Sequence, residues 1–398
     1  MRIGEFTDTF LPITDGVGRV VYNYAFFLSK KGHECYVIAP MNKTGFRGGY
    51  PFELIEFTSK ILPGIGQYRT GIPMLDKHFN SRMEMINMDI IHVHSPFSAG
   101  IAGARLAFKR NLPLVGTFHS KYYDDFLQIT KMESLATLGT KYVVDFYNRC
   151  DEVWTMSNSS AETLKSYGFK GNIKIIPNGT DIGEVDEEDI KEINSVYHLN
   201  QDKPVLLFVG QMNWKKNILR IIEAAVLLRK EGKSFYLVFA GQGPHFEEIK
   251  QKVFELGLQE STVFTGHITD MHILNALYCR ASVFVFPSLY DTSGLVTREA
   301  AAMGTPSVVI KNSCAAESIQ DVKNGFLCED STDALFNLLN KIMYMPNLLH
   351  TIGENAKKTL PLEWSRVLDQ VVDNYDVLIA KNSIFDKRVI PASEKNQP

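Results

Sequence analysis

Five runs in the second half of the chain, PVLLFVG (204–210), FYLVFAG (235–241), TVFTG (262–266), SVFVF (282–286) and PSVVI (306–310), are apolar almost without interruption. A strand with one wet face alternates apolar and polar residues. A run without alternation must be covered on both faces, the condition of a parallel sheet between two layers of helices. The first half reads as strands alternating with helices, in RIGEF (2–6), CYVIA (35–39), DIIHVH (89–94), PLVGTF (113–118), EVWTM (152–156) and NIKIIPNGTD (172–181). Between the first two of these, Val20, Val21, Tyr24, Phe27 and Leu28 recur at helical spacing and Gly32 follows as a stop. Strands alternating with helices over 398 residues are too much for one core, so the expectation is α/β with two doubly wound domains.

The first domain is expected over 1–182 and the second over 200–362. The acidic stretch GEVDEEDIKEIN (183–194) is the expected hinge. Residues 41–87, with scattered glycine and proline, resist assignment, and acceptor contacts are expected there. LEWSRVLDQVVDNYDVLIA (362–380) reads as an amphipathic helix followed by a polar tail without fixed structure.

The net charge of −3 implies no general polyanion binding, so nucleic acid is not an expected partner. Residues 1–180 hold 20 Lys and Arg against 16 Asp and Glu, and the remainder 22 against 29, which lets the first half face an anionic lipid surface. Five cysteines without a CxxC pair or a histidine at zinc spacing point to reduced thiols rather than disulfides or zinc. With no apolar run of membrane-spanning length and no leader, a cytoplasmic protein is expected, with peripheral contact at the inner face of the membrane.

In a parallel sheet, ligands bind beyond the carboxyl ends of strands, where loops feed helices. The stretch PSLYDTSGLVTREAAAMG (287–304) is such a place: Asp291 lies on the turn and Glu299 lies in the helix eight residues on. The amides of Gly294, Leu295 and Val296 are expected to be unpaired at the helix start, facing an anion such as a phosphate. Asp291 and Glu299 would accept from sugar hydroxyls beside it, or act only as solvated caps. Lys216, in QMNWKKN (211–217) before another helix, is a second anion-binding element. The loop around Gly16 resembles a dinucleotide fingerprint loosely, without its spacing. His92 and His94 share one strand face and have no third ligand at a suggestive spacing, so a hydrogen-bonded pair is expected rather than a metal pair. His119 ends a buried strand on the crevice side.

In order and spacing, DTFLPITDGVGR, KKGHECYVIAP, DIIHVHSPFS, PLVGTFHS, IIPNGTD, FVGQMNWKKN, FAGQGP and the D-x7-E pair Asp291 and Glu299 resemble glycosyltransferase family 4, whose signature is E-x7-E. The resemblance implies the GT-B fold, two Rossmann-like domains facing an interdomain cleft, with the helix over 363–385 packing back on the first. It implies retaining, metal-independent transfer of a hexose, without a cofactor, from a UDP- or GDP-sugar to a hydroxyl of a lipid or glycan acceptor.

The resemblance also assigns roles to residues of this sequence. Glu299 would hold the ribose hydroxyls, Asp291 would lie near the transferred sugar, and Gly294, Leu295 and Val296 would hold sugar hydroxyls and phosphate. Lys216 would pair with the diphosphate, Gly16 would let the first loop close over the phosphates, Ile268 would lie where the base is read, and His119 would contact the donor sugar. Gln211 stands where the family usually has arginine, which weakens charge-assisted stabilisation of the leaving group unless Lys215 replaces it. That departure keeps a non-catalytic sugar-nucleotide-binding subunit in view beside a GT-B epimerase.

Overall fold

The computed structural model describes residues 1–12, 16–42, 48–62, 68–181 and 183–388, with side chains to 383. The chain divides into two compact units, Met1–Pro177 with Trp364–Pro398, and Asn178–Glu363.

The first unit runs β1 (Arg2–Phe6), α1 (Gly16–Lys30), β2 (Glu34–Pro40), β3 (Glu53–Phe57), β4 (Ser59–Ile61), β5 (Arg69–Gly71), α2 (Lys77–Met85), β6 (Ile90–Val93), α3 (Ser98–Arg110), β7 (Leu114–Phe118), α4 (Tyr122–Thr130), α5 (Glu133–Tyr147), β8 (Glu152–Thr155), α6 (Asn158–Ser166) and β9 (Ile173–Ile175). Its parallel sheet has the order β3-β2-β1-β6-β7-β8-β9, while β4 and β5 form a separate antiparallel pair. The order reverses at β1: the chain steps outward to β2 and β3 and then returns to β6 on the other side of β1, so the ends of β1 and β6 mark the switch point of this sheet. Strands β6 and β7 are buried along their whole length, as strands covered on both faces are, even though they carry His92 and Thr117.

The second unit runs α7 (Glu187–Val196), β10 (Val205–Val209), α8 (Ile218–Lys230), β11 (Tyr236–Ala240), α9 (Phe246–Glu255), β12 (Thr262–Gly266), α10 (Met271–Arg280), β13 (Val283–Phe286), α11 (Leu295–Ala302), β14 (Ser307–Ile310), β15 (Phe326–Cys328), α12 (Thr332–Ile342) and α13 (Pro346–Thr359). Its sheet is parallel in the order β12-β11-β10-β13-β14-β15, so its switch point lies between β10 and β13. Phe208, Phe239, Phe284 and Phe286 fill the middle of its core, with Phe208 stacked against Phe286 at 5.9 Å.

The last helix, α14 (Trp364–Arg388), belongs to the first unit. Trp364 lies parallel to Phe27 of α1 at 6.4 Å, and Tyr375 stacks on Trp154 of β8 at 5.5 Å. The tail beyond 388 lies outside the described residues.

The acidic stretch expected as a hinge is largely a folded helix, which corrects that reading. Asp186 accepts from the amides of Glu188 and Asp189, and the Asp189 carboxylate accepts from the Asp186 amide in return, a reciprocal cap that starts α7. Ile193 of α7 is buried in the core of the second unit, so the acids are the wet face of an amphipathic helix.

Candidate active site

In the second unit, β10 and β11 run directly into glycines for a steric reason. Gly241 has φ +142, and a Cβ there would stand 2.0 Å from the Gly210 carbonyl oxygen. At Gly243 a Cβ would meet the Met212 carbonyl oxygen at 2.4 Å and its nitrogen at 2.6 Å. The loops after β10 and β11 therefore pass backbone against backbone, joined by Met212 N–H donating to the Gln242 carbonyl at 3.0 Å. This contact fixes the segment that carries Lys216. Asn217, at φ +59, starts α8 and donates from Nδ2 to the Pro287 carbonyl at 3.2 Å and to Asp330 at 3.0 Å, tying that segment to the turn after β13.

The Lys216 ammonium consequently stands 3.5 Å from Asp291 Oδ1, with both side chains about one-sixth exposed. It also lies over the rings of Phe286 and Tyr290, at 5.7 and 5.6 Å, and Lys215 lies over Tyr290 at 4.7 Å. Two of the three amides expected to be unpaired are engaged: Gly294 N–H donates to Asp291 Oδ2 and Leu295 N–H to Ser293 Oγ at 3.4 Å. The cause is local. The Asp291 carboxylate closes a short turn onto the Gly294 amide three residues on, and Gly294, in the left-handed conformation at φ +62, then sends the chain into α11. Asp291 thus already occupies the anionic place at the α11 N-terminus and pairs with the lysine.

Glu299 is buried at 3% exposure and accepts from the Tyr278 hydroxyl at 3.1 Å. Leu295, Val296 and Ile268 are half-buried, the last two packed on the core, while Gln211 is exposed. Arg298 escaped the sequence reading although it interrupts an Ala-rich helix directly before Glu299. Its guanidinium donates to the Asn178 carbonyl at 3.1 Å. Burial lowers its pKa, opposed by the neighbouring Cys314, Glu317 and Asp291.

In the first unit, Gly16 opens α1 with open space where a Cβ would stand, and the three residues before it lie outside the described residues. Asp8 fills the N-terminus of α3 as Asp291 fills that of α11. It accepts from the Ala99 amide at 3.0 Å and from the Ser95 hydroxyl, and burial raises its pKa against those hydrogen bonds.

His119 is 7% exposed at the end of β7, and its Nε2 pairs with His94 Nδ1 at 3.1 Å. His94 Nε2 pairs with Glu5 Oε2 at 2.7 Å. His92 pairs through Nε2 with Thr117 and through Nδ1 with the Tyr375 hydroxyl, both at 2.6 Å, and Tyr375 reaches Glu5 Oε1 at 3.3 Å. The expectation of no third group beside the histidine pair is corrected. Glu5 lies opposite His92 across the β1–β6 ladder, and its carboxylate comes within 4.8 Å of both rings. Sequence spacing cannot show a partner 87 residues away on the neighbouring strand.

Burial dominates the protonation of this layer. It pushes Glu5 up to about 8, against a hydrogen bond from Tyr375. It holds His94 down to about 3 and keeps His92 and His119 well below the ordinary histidine range, with His94 adding to the depression of both.

Two parallel-sheet units, the second with a lysine and a capped helix start at its switch point, define an α/β protein of the GT-B class. The family descriptions agree: residues 14–184 match "Glycosyltransferase Family 4" and residues 189–359 match "Glycosyl transferases group 1". The chain belongs to glycosyltransferase family 4. It is 27% identical to the alpha-monoglucosyldiacylglycerol synthase of Streptococcus pneumoniae, over 98% of this chain and 90% of that protein. It is 24% identical to the enzyme of the same name from Acholeplasma laidlawii, over 90% of this chain and 92% of that one. Among solved structures, Anabaena HepE in complex with UDP and glucose superposes with a TM-score of 0.73 at 19% identity, covering 94% of this chain and 99% of that chain.

Proposed function

We propose that the protein is a retaining hexosyltransferase that moves a glucosyl group from UDP-glucose to the free hydroxyl of a diacylglycerol-type lipid. The observation that carries the donor half is the meeting of Lys216 with Asp291 at the start of α11, with Glu299 buried one helical face away. A departing diphosphate develops negative charge, and an ammonium held rigidly by Asn217 and the glycine contact is preorganised to stabilise it. On this reading the diphosphate exchanges with Asp291 for Lys216, and Asp291 turns to the hydroxyls of the transferred sugar. Glu299 holds the ribose, Val296 N–H and the turn amides hold phosphate, and Ile268 flanks the base. Gly16 allows close approach of the first loop, and His119 contacts the sugar. Gln211 contributes a neutral hydrogen bond, so Lys215 and Lys216 carry the cationic role. No residue is assigned as a nucleophile and no metal or cofactor is invoked: the acceptor's proton passes to the leaving phosphate oxygen as the new glycosidic bond forms.

The lipid half is supported by the names of the two synthases and by the surface of the first unit. Ile129 of α4, Met132 at the start of α5, and Leu135 and Leu138 within α5 are all exposed, Leu138 by 64%, and the exposed Lys131 and Lys141 lie near them in sequence. An apolar stripe with lysines suits an anionic bilayer surface. Among the described residues no helix is long and apolar enough to cross a membrane, so contact through such a stripe is the route considered.

The test is transfer of label from UDP-glucose, and separately from GDP-mannose, into vesicles of diacylglycerol mixed with phosphatidylglycerol. Label in the lipid phase from UDP-glucose is the expected result. Label only from GDP-mannose overturns the glucosyl assignment. Binding of UDP without transfer from any donor supports the non-catalytic reading, and a changed sugar nucleotide from donor alone supports an epimerase.

A further inference from the structure

The buried polar layer of the first unit has a defined hydrogen-bond polarity, and it reaches His119. Tyr375 donates its hydroxyl proton to Glu5 Oε1 at 3.3 Å, so its oxygen is left to accept from His92 Nδ1–H at 2.6 Å. His92 Nε2 must then accept from the Thr117 hydroxyl, also at 2.6 Å. The tautomer of His92 is thereby fixed, and the freedom in the layer lies in the second branch, Glu5 Oε2 to His94 Nε2 at 2.7 Å and His94 Nδ1 to His119 Nε2 at 3.1 Å.

We propose that Glu5, acting through His94, decides whether the second ring nitrogen of His119, Nδ1, carries a proton or a lone pair. When Glu5 carries a proton, it donates to His94 Nε2, His94 Nδ1–H donates to His119 Nε2, and His119 holds its own proton on Nδ1. When Glu5 is ionised, each hydrogen bond of the branch reverses. His94 Nε2–H donates to the carboxylate, His119 Nε2–H donates to His94 Nδ1, and His119 Nδ1 has no proton. One proton leaves the layer, and its loss is expressed at Nδ1 of His119. Glu5 and His94 are on this account positioning residues. Their bearing on transfer rests on the assignment of His119 to the sugar, because a donor at Nδ1 can stabilise negative charge or hold a hydroxyl oxygen and a lone pair cannot.

Among the described groups facing Glu5, Tyr24 of α1, Cys35 of β2 and Tyr375 of α14 are all pushed up by burial, and His92, His94 and His119 are all held down by it. Glu5, at about 8, is the member of this set whose charge changes near neutrality.

The experiment is nitrogen NMR on the full-length, ligand-free protein labelled with 15N-histidine, with His119 assigned from the His119→Ala spectrum. In the wild type, Nδ1 of His119 should be the protonated nitrogen at pH 6.5 and lose that proton as the pH rises through about 8. Glu5→Gln, whose amide donates to His94 at every pH, should hold Nδ1 protonated throughout. Tyr375→Phe, which removes a hydrogen bond that favours ionised Glu5, should move the transition to higher pH. An identical titration in the wild type and Glu5→Gln overturns the proposal, as does protonated Nε2 in the wild type at pH 6.5 or a stoichiometric divalent metal that leaves with Glu5→Gln. If the NMR transition follows Glu5 while the rate of sugar transfer does not change across it, the relay stands and the role given to His119 in transfer falls.

Discussion

Three neutral histidines and one protonated carboxyl in a single buried layer should give the first unit an unusual pH–stability curve. His92, His94 and His119 bind no proton when folded at neutral pH, yet each takes one when unfolded below the ordinary value of 6.5. Folding is therefore opposed as the pH falls through 6.5. Glu5 works in the other direction: folded, it keeps its proton up to about 8, and unfolded it releases it above 4.5, so stability falls as the pH rises between those limits. A group that titrates in only one state shifts stability by about 1.4 kcal/mol per pH unit. Between pH 4.5 and 6.5 the histidines oppose Glu5 and outnumber it, so stability should rise with pH. Between pH 6.5 and 8 Glu5 acts alone and stability falls by about 1.4 kcal/mol per unit. The maximum should lie near pH 6.5. Urea unfolding of a Trp214→Phe variant, followed by fluorescence, reports on Trp154 and Trp364, both buried in the first unit. A flat profile from pH 5 to 8, or a maximum above pH 8, refutes the neutral-histidine description.

Four further outcomes are expected. Lys216→Met should lower kcat for transfer on the order of 100-fold, the usual loss for one preorganised donor at a site of developing charge; a change under threefold in steady-state assays contradicts its role. Glu299→Gln should remove the rise in melting temperature that UDP gives, since the ribose contact needs a carboxylate, and an unchanged shift removes that assignment. Gly243→Ala should destabilise the second unit by about 2 kcal/mol, because the new Cβ meets backbone atoms of Met212 that cannot turn aside, read as a lower urea midpoint by Trp214 fluorescence. Leu138→Glu should weaken sedimentation with anionic vesicles at least tenfold while leaving UDP binding intact; equal sedimentation removes the stripe on α4 and α5 as the lipid-facing surface.

The second sheet was legible because its central strands are unbroken apolar runs, a pattern that fully covered parallel strands produce and few other elements do, and the first by its alternation of strand and helix segments. β3 was missed although ELIEF is a strand by composition. It is an edge strand whose Glu53 is exposed, and it sits among glycines and prolines that mask it. The three-residue β15 is too short to carry a pattern. Asp291, Lys216 and Glu299 were singled out from position alone, because strand-to-helix turns at a switch point are few, and the structure brings Lys216 and Asp291 together. The use Asp291 makes of the Gly294 amide was hidden, since it depends on how a short turn closes rather than on residue type. The Glu5 layer was hidden more deeply. Its members come from β1, β6, β7 and α14, separated by up to 370 residues, and only the register of β1 against β6 brings Glu5 opposite His92.

The most direct measurement is the stereochemistry of the product. When the protein is incubated with UDP-glucose and diacylglycerol in anionic vesicles, proton NMR of the purified glycolipid should show the small anomeric coupling of an α-glucoside, the configuration of the donor. A β-linked product would contradict retention, and the absence of any glucosylated lipid from a protein that binds UDP would contradict the transferase itself.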